Sequence, residues 1–152
     1  MTPEGQAKKA ICDYLDMRRD LLFWVQESQG TWDPRVGRFR KKSSKHQRRG
    51  VADINVMMLV ARLPIAVQLE VKRPEIKAIG QTRGRLSKHQ VKMQHAVQAF
   101  GGFYFEVSSI DEAAAALARV RATVLEIMRT QQPSPGGSSP DAHGPGSGIH
   151  QA

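Results

Sequence analysis

Cysteine is almost missing from this chain: Cys12 is the only one in 152 residues. That excludes an internal disulfide and a cysteine-built zinc cluster, and Cys12 reads as a small apolar residue of a helix. The five histidines, His46, His89, His95, His143 and His150, form no H-x-x-x-H pair, so a zinc hydrolase is not indicated. No stretch approaches the roughly 20 consecutive apolar residues of a membrane span, and the N-terminus has no apolar signal-peptide core. A cytoplasmic location is therefore expected, that of a host cell if the protein is viral. Acidic residues are also scarce: 14 Asp and Glu stand against 23 Lys and Arg, for a net charge of +9. Such an excess is the electrostatic footprint of a polyanion partner, with an acidic membrane surface as the competing explanation.

What is present suits one domain with a hydrophobic core, since 40% of the residues are apolar and the length is that of a single domain. Thr2-Pro3-Glu4 reads as an N-cap, a proline at the first helical position and an acidic first turn. A helix follows to about Met17 or Arg18, with Ala7, Ala10, Ile11, Tyr14 and Leu15 as its apolar stripe. Glu4 falls on that stripe and is expected to face inward; the alternative is a glutamate placed for the helix dipole. Leu21 to Glu27 reads as a first strand, Ile54 to Val60 as a second and Ile65 to Val71 as a third. The last two are joined by a hairpin through Arg62-Leu63-Pro64.

Arg73-Pro74 stops the pairing, and a basic, glycine-containing loop runs to Leu86. Ser87 and Gln90 match a capping box opening a helix to about Phe100, with Met93, Ala96, Val97 and Phe100 inward and Gly101-Gly102 at its close. Phe103 to Val107 is a fourth strand. Ser109 and Glu112 repeat the capping pattern before a last helix, Ile110 to about Met128, whose stripe is Ala113, Ala116, Leu117, Val120, Val124 and Ile127. The order is α-β-β-β-α-β-α, an α/β fold with a mixed central sheet flanked by helices: strands one to three form a meander, and a helical crossover makes the fourth parallel to the third.

Two segments stand apart. Arg35, Arg38, Arg40, Lys41, Lys42, Lys45, Arg48 and Arg49 form a basic arm over 35–49 without one acidic residue. Uncompensated like charges repel, so the arm is read as a phosphate-contacting element whose counterion release supplies sequence-independent affinity, with a solvated loop as the plain alternative. Arg85 and Lys88 extend the expected nucleic-acid-binding set. From residue 131 to 152, prolines and glycines replace apolar residues; such a segment cannot offset its ordering entropy and is expected to be a disordered tail.

The chemistry is expected around Asp53, Glu70 and Lys72. In a strand Glu70 and Lys72 share one face while Val67, Leu69 and Val71 share the other, and the hairpin would bring Asp53 to the same end as Glu70. Two carboxylates in a partly buried site repel unless a cation intervenes. A hard divalent ion that keeps several waters and uses one or two carboxylates, as magnesium does, is the economical partner. Read alone, Glu70 and Lys72 are most simply an ordinary surface ion pair; the strongly apolar strand around them and Asp53 at the mouth of the neighbouring strand tell against that.

Gly50-Val51-Ala52-Asp53, Gln68-Leu69-Glu70-Val71-Lys72, Gly84-Arg85-Leu86-Ser87-Lys88-His89-Gln90 and Ala99-Phe100-Gly101-Gly102, in that order, resemble the virus-type replication-repair nuclease family, VRR-NUC, of the PD-(D/E)XK restriction-endonuclease-like superfamily. The resemblance covers about residues 1 to 116. It implies a restriction-endonuclease-like fold over 1–130 and a Mg²⁺- or Mn²⁺-dependent DNA endonuclease, structure-specific for branched DNA such as four-way junctions and homodimeric. It further implies Asp53, Glu70 and the carbonyl of Val71 as metal ligands, Lys72 as the residue orienting or deprotonating water, and Gln90 and Glu4 as lining the site. Gln90's capping role is compatible with this. Ala52 departs from the proline of the superfamily name, a position that supplies no ligand. A catalytically silent nucleic-acid-binding module, and a nuclease subunit that works only with a partner, remain alternatives.

Overall fold

Three helices and a four-stranded mixed sheet are arranged by where the apolar residues fall. The computed structural model describes residues 1–26, 30–41 and 50–131; residues 27–29, 42–49 and 132–152 lie outside it, and with them most of the basic arm and the expected tail. The elements are α1 (Pro3–Asp16), β1 (Leu21–Val25), β2 (Gly30–Asp33), β3 (Arg38–Lys41), β4 (Ile54–Val60), β5 (Leu63–Val71), a single 3₁₀ turn (Lys77–Ile79), α2 (Lys88–Ala99), β6 (Phe103–Val107) and α3 (Ile110–Thr130). The sheet order is β1-β4-β5-β6. β1, β4 and β5 are antiparallel neighbours, and the crossover through α2 makes β6 parallel to β5.

Alternation along the strands divides the sheet into two unlike faces. Ile54, Val56, Met58 and Val60 of β4, Val67, Leu69 and Val71 of β5 and Val107 of β6 form the core with Ile11 and Leu15 of α1 and Ala113, Ala116, Leu117, Val120 and Val124 of α3. Each Val, Leu, Ile or Met side chain buried there contributes roughly 1.5–3 kcal/mol relative to exposure. The opposite face carries the polar set, Asn55, Gln68, Glu70, Tyr104 and Glu106, with α2 beside β6 and β5. On this face Leu22 of β1 and Leu59 of β4 are exposed and Trp24 is half-exposed, while Asn55 of β4 is buried.

Several expectations need correction. The strand count omitted a hairpin, because β2 and β3 pair antiparallel through Thr31–Arg40 and Trp32–Phe39; the front of the basic arm, Arg38 to Lys41, is therefore a strand and not a loop. Thr31-Trp32, the turn Asp33-Pro34 to Gly37 and the alternation Arg38-Phe39-Arg40 carried that signal, but the charge run hid it. The β4–β5 hairpin turns at Ala61-Arg62, both at positive φ (48° and 69°), and not at Arg62-Leu63-Pro64. Pro64 lies within β5 opposite Leu59; the alternating ladder aims its missing N–H away from β4, where β6 has not yet begun. Phe100 is exposed, because as the C-cap of α2 it has left the helical stripe. Ile127 is also exposed, and the stripe of α3 continues instead through Met128, four residues after Val124.

Candidate functional site

The ends of β4 and β5 are set by the register Ile54–Leu69, which makes Asp53 and Glu70 the next pair in the ladder. One Asp53 oxygen, Oδ2, accepts the Val71 amide at 3.0 Å, and the Asp53 carbonyl accepts the Gln26 amide at 2.7 Å. The carboxylate is thus held at the point where the strands part. By the same alternation the carbonyl of Val71 is turned toward the Asp53 end of β4.

Glu70 and Lys72 are 3% and 8% exposed, which decides against an ordinary surface pair. Lys72 Nζ donates to Glu70 Oε1 at 2.8 Å and to Gln90 Oε1 at 3.0 Å. Gln90 Nε2 donates to the same Glu70 oxygen, and Tyr104 Oη donates to Glu70 Oε2 at 3.4 Å or to the Gly50 carbonyl at 3.3 Å. Burial pushes the Glu70 carboxyl above the usual carboxylate range; Lys72's bond acts against this and the Asp53 charge adds to it. Burial, and next the Glu70 charge, likewise push the Tyr104 phenol up.

Gln90 both caps α2 and contacts Glu70 and Lys72. Its Oε1 accepts the Ser87 amide at 2.7 Å while Ser87 Oγ accepts the Gln90 amide, a complete capping box, so the cap that starts α2 also fixes the amide against Glu70 and Lys72. Gly50 sets how closely α2 approaches. It has φ +84°, and a Cβ there would stand 2.3 Å from the His89 carbonyl oxygen, so only glycine allows the chain to pass the first turn of α2 on its way to Asp53. Gly84 packs its backbone near Lys72, where a Cβ would lie 3.5 Å from the Lys72 Cβ.

The remaining expected residues fall differently. Glu4 is exposed, contrary to an inward position. It shares the azimuth of Ile11 and Leu15, but Lys8, one turn later, already reaches the end of β4, so the first turn projects beyond the sheet. Arg38, Arg85 and Lys88 are exposed. Lys42, Lys45, Arg48 and Arg49 lie outside the described residues, as do the side chains of Arg40 and Lys41.

Three contributors had no local signature in the sequence. Lys8 Nζ lies 3.4 Å from Asp53 Oδ1 across 45 residues of chain, and Tyr104 enters from the parallel strand. Arg83 forks onto Glu112, with Nη1 to Oε1 at 2.6 Å and Nη2 to Oε2 at 3.0 Å, while its Nε donates to Glu106 Oε1 at 3.0 Å. This ties the loop carrying Gly84 to β6 and α3. Glu112 also accepts the Ser108 amide at 2.7 Å; the guanidinium bond is the largest influence holding its carboxyl below the usual range. A basic loop hid Arg83 as one cation among many.

Among the described residues no group of three or more His, Cys, Asp or Glu comes together as a metal cage. Two carboxylates and a strand-end carbonyl instead fit a hard cation that retains water. No helix among the described residues is long and apolar enough to cross a membrane. Comparison with known protein families, curated proteins and solved structures finds no match.

Proposed function

We propose that this chain is a divalent-metal-dependent DNA endonuclease of restriction-endonuclease-like fold. The observation that carries the reading is the hydrogen-bonded cluster of Glu70, Lys72 and Gln90, with Lys72 buried against Glu70, set beside Asp53, whose Oδ2 accepts the amide of Val71. A buried ammonium–carboxylate pair is a poor device for stability, because desolvation offsets most of its attraction. It is a good device for holding a charged group where a reaction needs it.

In this reading Asp53, Glu70 and the Val71 carbonyl hold Mg²⁺ or Mn²⁺, which supplies Lewis acidity and lowers the pKa of bound water. The Val71 amide fixes one oxygen of Asp53, and the other, Oδ1, lies 3.4 Å from the Lys8 ammonium. Lys72, anchored as an ammonium by Glu70 and Gln90, is poised to orient the attacking water with its remaining N–H and to offset charge building on the phosphate. Gln90 keeps the ammonium in place because its amide bridges Lys72 and Glu70. Arg38, Arg85, Lys88 and the remaining basic arm would hold the DNA backbone electrostatically.

A homodimer acting on branched DNA is the preferred form. Two sites related by a two-fold axis suit a substrate with paired strands to cut, and Leu22, Trp24 and Leu59 offer apolar surface for a second copy to bury. The test is incubation of the purified chain with linear duplex, single strand and four-way junction, with and without magnesium. Magnesium-dependent cleavage of the junction is expected; tight binding without cleavage of any substrate would make the chain a silent binding module.

A further inference from the structure

Both oxygens of Asp53 are engaged, and unequally. Oδ2 is fixed by the backbone amide of Val71, whereas among the described residues Oδ1 faces the ammonium of Lys8 at 3.4 Å. That ammonium sits at the end of a flexible stem on a different element, α1, and both side chains of the pair are about 30% exposed. Lys8 can thus leave Asp53 without breaking the sheet or the α2 cap. The cluster is also balanced, since the charges of Asp53 and Glu70 are cancelled by those of Lys8 and Lys72. A divalent cation added to it must take Oδ1 from Lys8 and would leave the site with two excess positive charges. At this range such charges repel strongly. A phosphodiester, placing its negative charge against the displaced ammonium and the cation together, halves the excess.

We propose that Lys8 is a built-in counter-cation of Asp53 that makes loading of the divalent cation depend on a nucleic-acid phosphate, giving up Asp53 to the metal only when it can turn to the phosphate. The proposal rests on the reading of Asp53 and Glu70 as metal ligands. By linkage the coupling is reciprocal, so DNA must tighten the metal by the factor by which the metal tightens DNA.

The test measures Mn²⁺ affinity by the loss of the free-ion electron paramagnetic resonance signal, at fixed ionic strength. Wild type, Lys8→Met and Lys8→Arg are each measured alone and bound to a four-way junction, with the junction's own manganese binding subtracted. Lys8→Met keeps most of the stem, and Lys8→Arg keeps the charge and reports on any change in folding. For wild type the junction is expected to tighten manganese by about 5-fold or more. Lys8→Met should bind manganese more tightly when free and lose most of that enhancement, while Lys8→Arg should retain most of it. A lysine acting only through space would make Lys8→Met tighten manganese equally with and without DNA, leaving the ratio of affinities unchanged; that result, or unchanged affinity of the free variant, overturns the proposal. If wild type binds no manganese even with DNA, the metal-nuclease reading falls and this inference with it. Manganese binding and cleavage by wild type with an unaltered Lys8→Met ratio would remove this inference alone.

Discussion

Replacing Lys72 with methionine should destabilise the protein through the carboxylate it leaves behind. Glu70 is 3% exposed and loses its 2.8 Å ammonium partner. Breaking one side of a buried pair costs about 3–5 kcal/mol. The Gln90 amide and the Tyr104 hydroxyl remain within reach, so the lower end applies, about 3 kcal/mol. For a chain of this size that is a fall in Tm of roughly 6–12 °C. The pH dependence has a definite sign. Burial already raises the Glu70 carboxyl, and removing Lys72 raises it further. A carboxyl that holds its proton more tightly folded than unfolded costs stability as pH rises through its folded pKa. The deficit of Lys72→Met, measured by urea denaturation in the presence of a chelator, should therefore be larger at pH 8 than at pH 5. Adding Glu70→Gln should recover most of it. A cost under about 1 kcal/mol, independent of pH and without rescue by Glu70→Gln, would mean that the pair behaves as a solvated surface pair and would refute the reasoning.

Gly50→Ala should cost roughly 2–4 kcal/mol by circular dichroism melting, since it combines a positive φ with a 2.3 Å collision against the first turn of α2; an unchanged melt would show that α2 can move away. The Glu112 carboxyl is lowered chiefly by Arg83, so its contribution to stability is present above the unfolded pKa and lost as pH falls through the folded one. Glu112→Gln should accordingly flatten the acid side of the stability profile, and an unaltered profile would assign acid sensitivity elsewhere. Replacing Lys41, Lys42 and Lys45 with alanine should weaken binding to all DNA sequences about equally and flatten the slope of log affinity against log salt by up to roughly 0.9 per lost duplex phosphate contact. Salt titrations by fluorescence anisotropy measure this, and an unchanged slope would make the arm a solvated loop.

Features legible in the sequence were those with local physical signatures. Two apolar runs closed by a short hairpin put Asp53 opposite Glu70, period-two alternation put Lys72 on the face of Glu70, and the Ser87–Gln90 cap located the start of α2. The β2–β3 hairpin was obscured because charge density in 35–49 outweighed a turn and an aromatic alternation. Ala61-Arg62 carries no glycine or asparagine to announce its positive φ values, while Pro64 imitates a turn residue inside a strand. Glu4 had the right azimuth but the wrong height along α1, which periodicity does not encode. Lys8 and Tyr104 join the site through contacts spanning 45 and 34 residues, so only the tertiary arrangement of α1 and β6 reveals them.

Asp53→Asn offers the most direct test of the central assignment. The amide retains an oxygen to accept the Val71 N–H, so the strand ends can stay as they are while the negative charge is lost. Four-way-junction cleavage in magnesium and junction binding by anisotropy should be measured on the same preparation of wild type and variant. The account predicts magnesium-dependent cleavage by wild type, cleavage abolished in Asp53→Asn, and binding nearly intact. Cleavage persisting in the variant, or binding lost in parallel with it, would contradict the placement of a metal-dependent phosphodiesterase site at Asp53 and Glu70.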